Sequence, residues 1–139
     1  MALGEFIRFV SAGTLIKFEG VTRSGIYSFI RNPLYAGSFI LGAGGCIIGR
    51  DPLFAALFFI LFPLIYHGVI KGEEAWLIGR YGDDYRRYLE EVPRIIPRRL
   101  DLGEILRETS PFLAIKNREL GAVGGVALVL TVMVLKIMM

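Results

Sequence analysis

Residues 34–70 read LYAGSFILGAGGCIIG-RDP-LFAALFFILFPLIYHGVI: two uncharged apolar runs joined by Arg50-Asp51-Pro52. This stretch predicts a helical hairpin that crosses a bilayer twice, with spans at 34–50 and 52–70. At 1.5 Å per residue the runs are roughly 25–29 Å long, close to the hydrocarbon thickness of a membrane. Proline is favoured at the first position of a helix, so Pro52 is well placed to start the second one. The first run carries Gly37, Gly42, Gly44, Gly45 and Gly49. Small residues let helix backbones approach closely, so this helix is expected between neighbours rather than facing lipid, with Gly45-x-x-x-Gly49 as a packing face. A further apolar run from Leu120, broken only by Lys136 near its end, predicts a third span at 120–138 containing Gly121-x-x-x-Gly125. The fold class is therefore all-α: an integral membrane protein with about three transmembrane helices and a cytoplasmic helical segment.

Composition agrees. The chain has 139 residues, of which 54% are hydrophobic, against 45–50% in an ordinary soluble domain. That length allows one domain, 1–139. The net charge is +3, and Lys and Arg alternate with Asp and Glu instead of forming a one-signed patch. This argues against nucleic acid and for anionic lipid headgroups as the charged partner. With Cys46 the single cysteine and His67 the single histidine, a disulfide and a Cys- or His-rich metal site are both excluded, and no metal is expected. Cys46, inside Gly45-Cys46-Ile47-Ile48, reads as a small buried hydrophobe. Met1–Val10 carries Glu5 and Arg8 within a short apolar stretch, so no cleavable signal peptide is expected.

The hairpin puts 1–33 and 71–119 on one side of the membrane and the Arg50-Asp51 turn on the other. Nearly all Lys and Arg fall on the first side, which the positive-inside rule makes cytoplasmic. Trp76, Tyr81, Tyr85 and Tyr88 read as interfacial aromatic anchors. The second helix is expected to run on through Glu73, Glu74 and Leu77 to Tyr81 and to end at Gly82, with Asp83 or Asp84 capping a helix to Val92. Ser110-Pro111 has the form that opens another helix. Between them, 99–119 reads as an interfacial linker.

Hairpin arithmetic locates the chemistry. Antiparallel helices joined at Asp51 put residues i and about 102 − i at equal depth, so Tyr35 is level with His67 and Asn32 with Ile70. Glu73 and Glu74 then lie one turn farther out. Arg31-Asn32-Pro33-Leu34-Tyr35 and the acidic pair thus converge at one interface, and the free N–H groups of the first helix turn suit an anionic ligand group. Taken singly, each residue has a bland reading: Arg31 and Asn32 as interfacial anchors, Glu73 and Glu74 as solvated, His67 as a hydrogen-bonded residue between helices, Tyr27 and Tyr35 as belt aromatics. Their joint occurrence in a chain so short of polar groups points to function, because polar groups at the membrane edge are costly unless paired.

Gly25-Ile26-Tyr27 with Arg31-Asn32-Pro33-Leu34-Tyr35-Ala36-Gly37, then Glu73-Glu74, Leu77, Tyr81-Gly82, Tyr85, Tyr88 and Val92-Pro93-Arg94-Ile95-Ile96-Pro97, resembles the signature of integral membrane methyltransferases. That family includes the isoprenylcysteine carboxyl methyltransferases and phospholipid methyltransferases. The resemblance covers about 22–98, leaving 120–139 as a C-terminal transmembrane helix. It implies a site for S-adenosylmethionine (SAM) held by Tyr27, Arg31, Asn32, Pro33, Leu34 and Tyr35 from one side and by Glu73 and Glu74 from the other. Arg94 would close the pocket against an acidic substrate group. The family often has His where this chain has Asn32, and Asn keeps a donor and an acceptor but does not titrate near neutral pH. It also usually has one or two membrane helices before this region, and association into a homo-oligomer is one way for a shorter chain to complete its pocket.

The resemblance implies methyl transfer to a lipophilic, membrane-embedded acceptor: an isoprenylcysteine-like carboxylate or a phospholipid headgroup. A carboxylate acceptor needs no general base, whereas an amine or thiol would require one, with His67 or a glutamate the available candidates. Two rival readings are an NADPH-dependent enzyme like the membrane sterol reductases, which look similar over this region, and a non-catalytic membrane adaptor that keeps the fold.

Overall fold

The structure, a computed structural model, describes residues 1–16, 20–117, 121, 124–128, 131 and 135. Every regular element among them is helical: α1 (Ala2–Thr14), a 3-10 turn (Gly25–Ser28), α2 (Pro33–Gly49), α3 (Pro52–Tyr81), α4 (Asp83–Glu91), α5 (Leu102–Arg107) and α6 (Pro111–Lys116).

The hairpin forms where the sequence places it. Asp51 caps α3, its Oδ1 accepting from the N–H groups of Leu53 (2.9 Å) and Phe54 (3.0 Å), and Pro52 occupies the first turn, where a missing N–H costs nothing. The α3 helix runs unbroken past Glu73 and Glu74 and stops at Gly82, whose φ of 55° glycine adopts without steric cost. Aromatic contacts fix the register of α2 on α3: Tyr35 against Tyr66, centroids 5.0 Å apart, and Phe39 against Phe62 at 5.5 Å. The pairs 35–66 and 39–62 follow the antiparallel arithmetic to within one residue.

Three spans are not established. Among the described residues only α3 is long and apolar enough to cross a membrane, and its apolar stretch is almost wholly exposed. The α2 helix is apolar but has 17 residues, about 25 Å. The expected span at 120–138 lies mostly outside the described residues, of which 121, 124–128, 131 and 135 are helical.

Residues 1–14, which the sequence reading assigned only to one side of the membrane, form a helix packed on the hairpin. The α1 helix runs antiparallel along α2, bringing Met1 beside Gly44 and Arg8 beside Gly37. The backbones touch: a Cβ on Gly4 would sit 2.6 Å from the Gly37 carbonyl oxygen and 2.6 Å from the Leu41 nitrogen. Gly42 faces the other way, onto the Phe58 ring. The glycines that matter for packing α1 and α3 against α2 are thus Gly4, Gly37, Gly42 and Gly44. Nothing lies within 4 Å of a Cβ built on Gly45, Gly121 or Gly125, so these three glycines make no close helix contact among the described residues. Cys46 is buried and unpaired, as expected.

Two small cores anchor the non-spanning segments. Val10, Ile26, Tyr27, Phe29, Ile30 and Ile105 join α1, the 3-10 turn and α5, and Tyr85, Tyr88 and Val92 pack with Val21, Leu77 and Ile78 to seat α4 against the end of α3. Asp83 and Asp84 do not cap α4. Gly82 holds the cap position and both aspartates stand in the first turn, where they face the positive end of the helix dipole. Ser110 opens α6 as expected, its Oγ accepting from the Leu113 N–H at 3.4 Å.

Candidate active site

The open end of the hairpin, opposite the Arg50-Asp51 turn, holds a cavity of about 310 Å³, at the small end of the range for ligand pockets. Its first wall is the start of α2 with the residues before it. Asn32 is the N-cap residue, yet its side chain makes no cap bond to the helix. The Asn32 Nδ2 instead donates to the Arg94 carbonyl (3.2 Å), as does the Asn32 N–H (3.2 Å), while the Arg31 N–H donates to the Pro93 carbonyl (2.9 Å). The Pro93-Arg94 turn is thereby tied to the mouth of α2, and the first turn of α2, formed by Pro33, Leu34 and Tyr35, faces the cavity without a side-chain cap. Such a terminus is electropositive.

The second wall is the end of α3. Glu73 accepts from the Tyr35 hydroxyl at 2.6 Å, a short charge-assisted bond across the hairpin. Glu74, one residue on and pointing about 100° away around the helix, is 8% exposed. Its Oε1 accepts from Arg31 Nη1 (3.1 Å) and Arg94 Nε (3.2 Å), and its Oε2 accepts from Arg94 Nη2 (2.6 Å). Arg31 Nε is buried without a hydrogen-bond partner.

The third wall comes from segments to which sequence reading gave no site role. Leu15, Ile16 and Gly20–Thr22 follow α1 across the cavity, and Tyr85 and Tyr88 rise from α4. Arg23 fastens the first of these to α4 through Asp84: Nη2 donates to Oδ1 (2.7 Å) and to the Asp84 carbonyl, and the guanidinium lies over the Tyr88 ring. Tyr88 donates its hydroxyl to the Tyr27 carbonyl at 2.8 Å. Burial, with the Glu74 carboxylate second, pushes the Tyr85 hydroxyl up to about 12, while Arg31 and Arg94 pull the other way. Burial, then Tyr85, likewise holds Tyr88 well above the ordinary tyrosine range. Both phenols are neutral near pH 7 and act as donors and ring surfaces, not bases.

All eight residues expected to hold a cofactor (Tyr27, Arg31, Asn32, Pro33, Leu34, Tyr35, Glu73 and Glu74) line this one cavity. The two expected catalytic residues do not. His67 is exposed on α3 outside the lining, because its turn of the helix points away from α2. Arg94 stands behind Glu74, bonded to its carboxylate instead of facing the cavity. Trp76, Tyr81, Tyr85 and Tyr88, read as membrane anchors, line the cavity instead. Trp76 and Tyr81 do so from the last turns of α3, whereas Tyr85 and Tyr88 are turned inward by the fold-back of α4 at Gly82, which was not legible. No group of three or more metal-ligating side chains occurs among the described residues.

The open end of a hairpin whose second helix is long and apolar enough to cross a membrane thus carries a cavity lined by paired ions, aromatics and an uncapped helix start. A phospholipid methyltransferase family model matches residues 1–84, more than half of the 139 residues, and the chain belongs to that family. It is also 30% identical, over 94 residues, to the protein-S-isoprenylcysteine O-methyltransferase of Schizosaccharomyces pombe (strain 972 / ATCC 24843). The match covers 68% of this chain and 40% of that protein, so the chain spans well under half the length of this relative. No solved structure matches the chain.

Proposed function

We propose that the protein is a SAM-dependent methyltransferase acting on a lipophilic acceptor in the membrane, with its cavity on the cytoplasmic side. The observation that carries this reading is the convergence of Arg31–Tyr35 and Glu73-Glu74 on one cavity at the hairpin mouth. Family membership and the isoprenylcysteine methyltransferase relative supply the reaction class.

The residues present suit an amphoteric, aromatic cofactor. Arg31 keeps one buried donor unpartnered, and the uncapped start of α2 adds electropositive character for a carboxylate. Glu73 offers a carboxylate for an ammonium group or ribose hydroxyls. The rings of Tyr27, Trp76 and Tyr81 provide flat apolar surface and electron-rich faces for a cation. When bound, SAM supplies an electrophilic methyl group on a sulfonium sulfur. The chain's own work is alignment of the two reactants and exclusion of water, since charge is dispersed as the nucleophile approaches and a dry site favours that change. Tyr35, tied to Glu73, holds α2 to α3 across the site and keeps the two walls in register. A carboxylate acceptor requires no base, consistent with a cavity whose lining includes no histidine and whose buried phenols stay protonated. The acceptor reaches the site laterally from the bilayer alongside α3, and orientation follows from the cationic residues gathered beyond the hairpin's open end.

The test is to supply isolated membranes containing the protein with methyl-labelled SAM, fractionate the lipids and prenylated products, and titrate purified protein with SAM and with NADPH. Label transfer together with SAM binding supports the reading. Absence of both, or saturable binding of NADPH instead, overturns it.

A further inference from the structure

Glu74, one of the two acids expected to hold a ligand, stands in an unexpected arrangement. A carboxylate that binds a ligand directly keeps lone pairs for it, yet Glu74 is 8% exposed and already accepts three bonds from two guanidiniums. Arg94, the bidentate partner, also gives its backbone carbonyl to Asn32 twice. Glu74 thus sits at the junction of three separate segments: the residues before α2, the end of α3, and the turn after α4. Two cations against one anion leave the cluster with one excess positive charge, and Arg31, which lines the cavity beside Glu74, is the member with a buried, unpartnered Nε.

From this geometry we infer that Glu74 is a positioning residue: it touches no ligand itself, and it holds Arg31 in the cavity wall so that the site selects a ligand bearing an anionic group. A guanidinium free to rotate would lose that selectivity, because alignment of its planar fork is what distinguishes it from a diffuse charge. The inference rests on the methyltransferase reading. The anionic group is a carboxylate or phosphate belonging either to the cofactor or to the acceptor, and separate probe pairs distinguish these sources.

The experiment measures equilibrium binding to the purified full chain. One pair is SAM and its decarboxylated analogue, and the other is farnesylcysteine and its uncharged amide. In the unaltered protein the carboxylate-bearing member of at least one pair binds about tenfold tighter or more, the scale of one charge-assisted hydrogen bond. Arg31→Gln, which leaves the Glu74–Arg94 pair intact and so preserves the fold, reduces that preference to about twofold or less. Glu74→Gln does the same although it makes the cluster more positive, and Glu74→Asp restores part of the preference. Collapse for the SAM pair assigns the anionic group to the cofactor, and collapse for the farnesylcysteine pair assigns it to the acceptor. Tighter binding of the carboxylate by Glu74→Gln, or an unchanged preference in Arg31→Gln, overturns the inference. If the unaltered protein binds no member of either pair, the methyltransferase reading itself fails.

Discussion

Replacing Gly4 with alanine adds one methyl group where α1 lies against α2. The new Cβ would stand 2.6 Å from the Gly37 carbonyl oxygen, 2.6 Å from the Leu41 nitrogen and 2.9 Å from the Leu41 Cβ. Two of these neighbours are backbone atoms in the middle of a helix, so no rotamer change relieves the contact and the helices must separate. Overpacking of this kind costs about 1–3 kcal/mol, more than the gain of up to about 1 kcal/mol that alanine brings over glycine in a helix. The effect does not stop at the interface, because Val10 on α1 packs with Ile26 and Tyr27 in the core that backs the cavity. Gly45→Ala is the matched control: its Cβ meets nothing within 4 Å, so only the propensity gain remains. Thermal unfolding of the detergent-solubilised protein, followed by circular dichroism, should show Gly4→Ala melting several degrees lower and Gly45→Ala unchanged or higher. At roughly 4 °C per kcal/mol for a chain of this size, the two variants separate clearly. Equal melting temperatures would refute the claim that α1 and α2 are in backbone contact.

Further expectations follow from other parts of the molecule. Tyr35→Phe removes the 2.6 Å bond to Glu73 and should weaken SAM binding by about tenfold, the equivalent of 1.4 kcal/mol, measured by calorimetry; unchanged affinity would show that the bridge does not shape the site. Asp51→Ala deletes a cap with two bonds and should cost about 0.5–2 kcal/mol of stability while leaving SAM affinity intact, since Asp51 lies at the far end of the hairpin. Tyr85 ionises at about 12 in the folded protein against about 10 unfolded. Its contribution to stability is therefore complete below pH 10 and is lost as pH rises through 12. A spectrophotometric phenol titration should show a late-ionising class that becomes ordinary in urea, and a single transition near pH 10 in the native protein would contradict the burial of this ring.

Much of the architecture was legible in the sequence because it rests on local rules. Two uncharged runs around Arg50-Asp51-Pro52 dictate a hairpin, Gly82 dictates where α3 stops, and an antiparallel pair of fixed rise dictates that residues near 32 and 73 share a depth. That arithmetic was enough to place Arg31–Tyr35 and Glu73-Glu74 on one cavity. Depth, however, is not direction. His67 has the right height but the wrong face of α3, and Gly45 sits in a packing motif by spacing but meets no neighbouring helix.

What only the tertiary structure decided is which groups face each other once the non-spanning segments fold back. Residues 1–14 were too short and mixed to read as a packed helix, and their place along α2 depends on a glycine contact between residues 33 apart. The inward turn of Tyr85 and Tyr88 depends on α4 reversing at Gly82 and on Arg23 reaching Asp84 across 61 residues. Glu74 read as a ligand-binding acid beside Glu73, yet its partners are Arg31 and Arg94, brought together from segments 63 residues apart in the chain. Helix periodicity and hydropathy are properties of neighbours in the chain, whereas pairing of buried charges is settled by distance in space, which is why the first could be read from the sequence and the second could not.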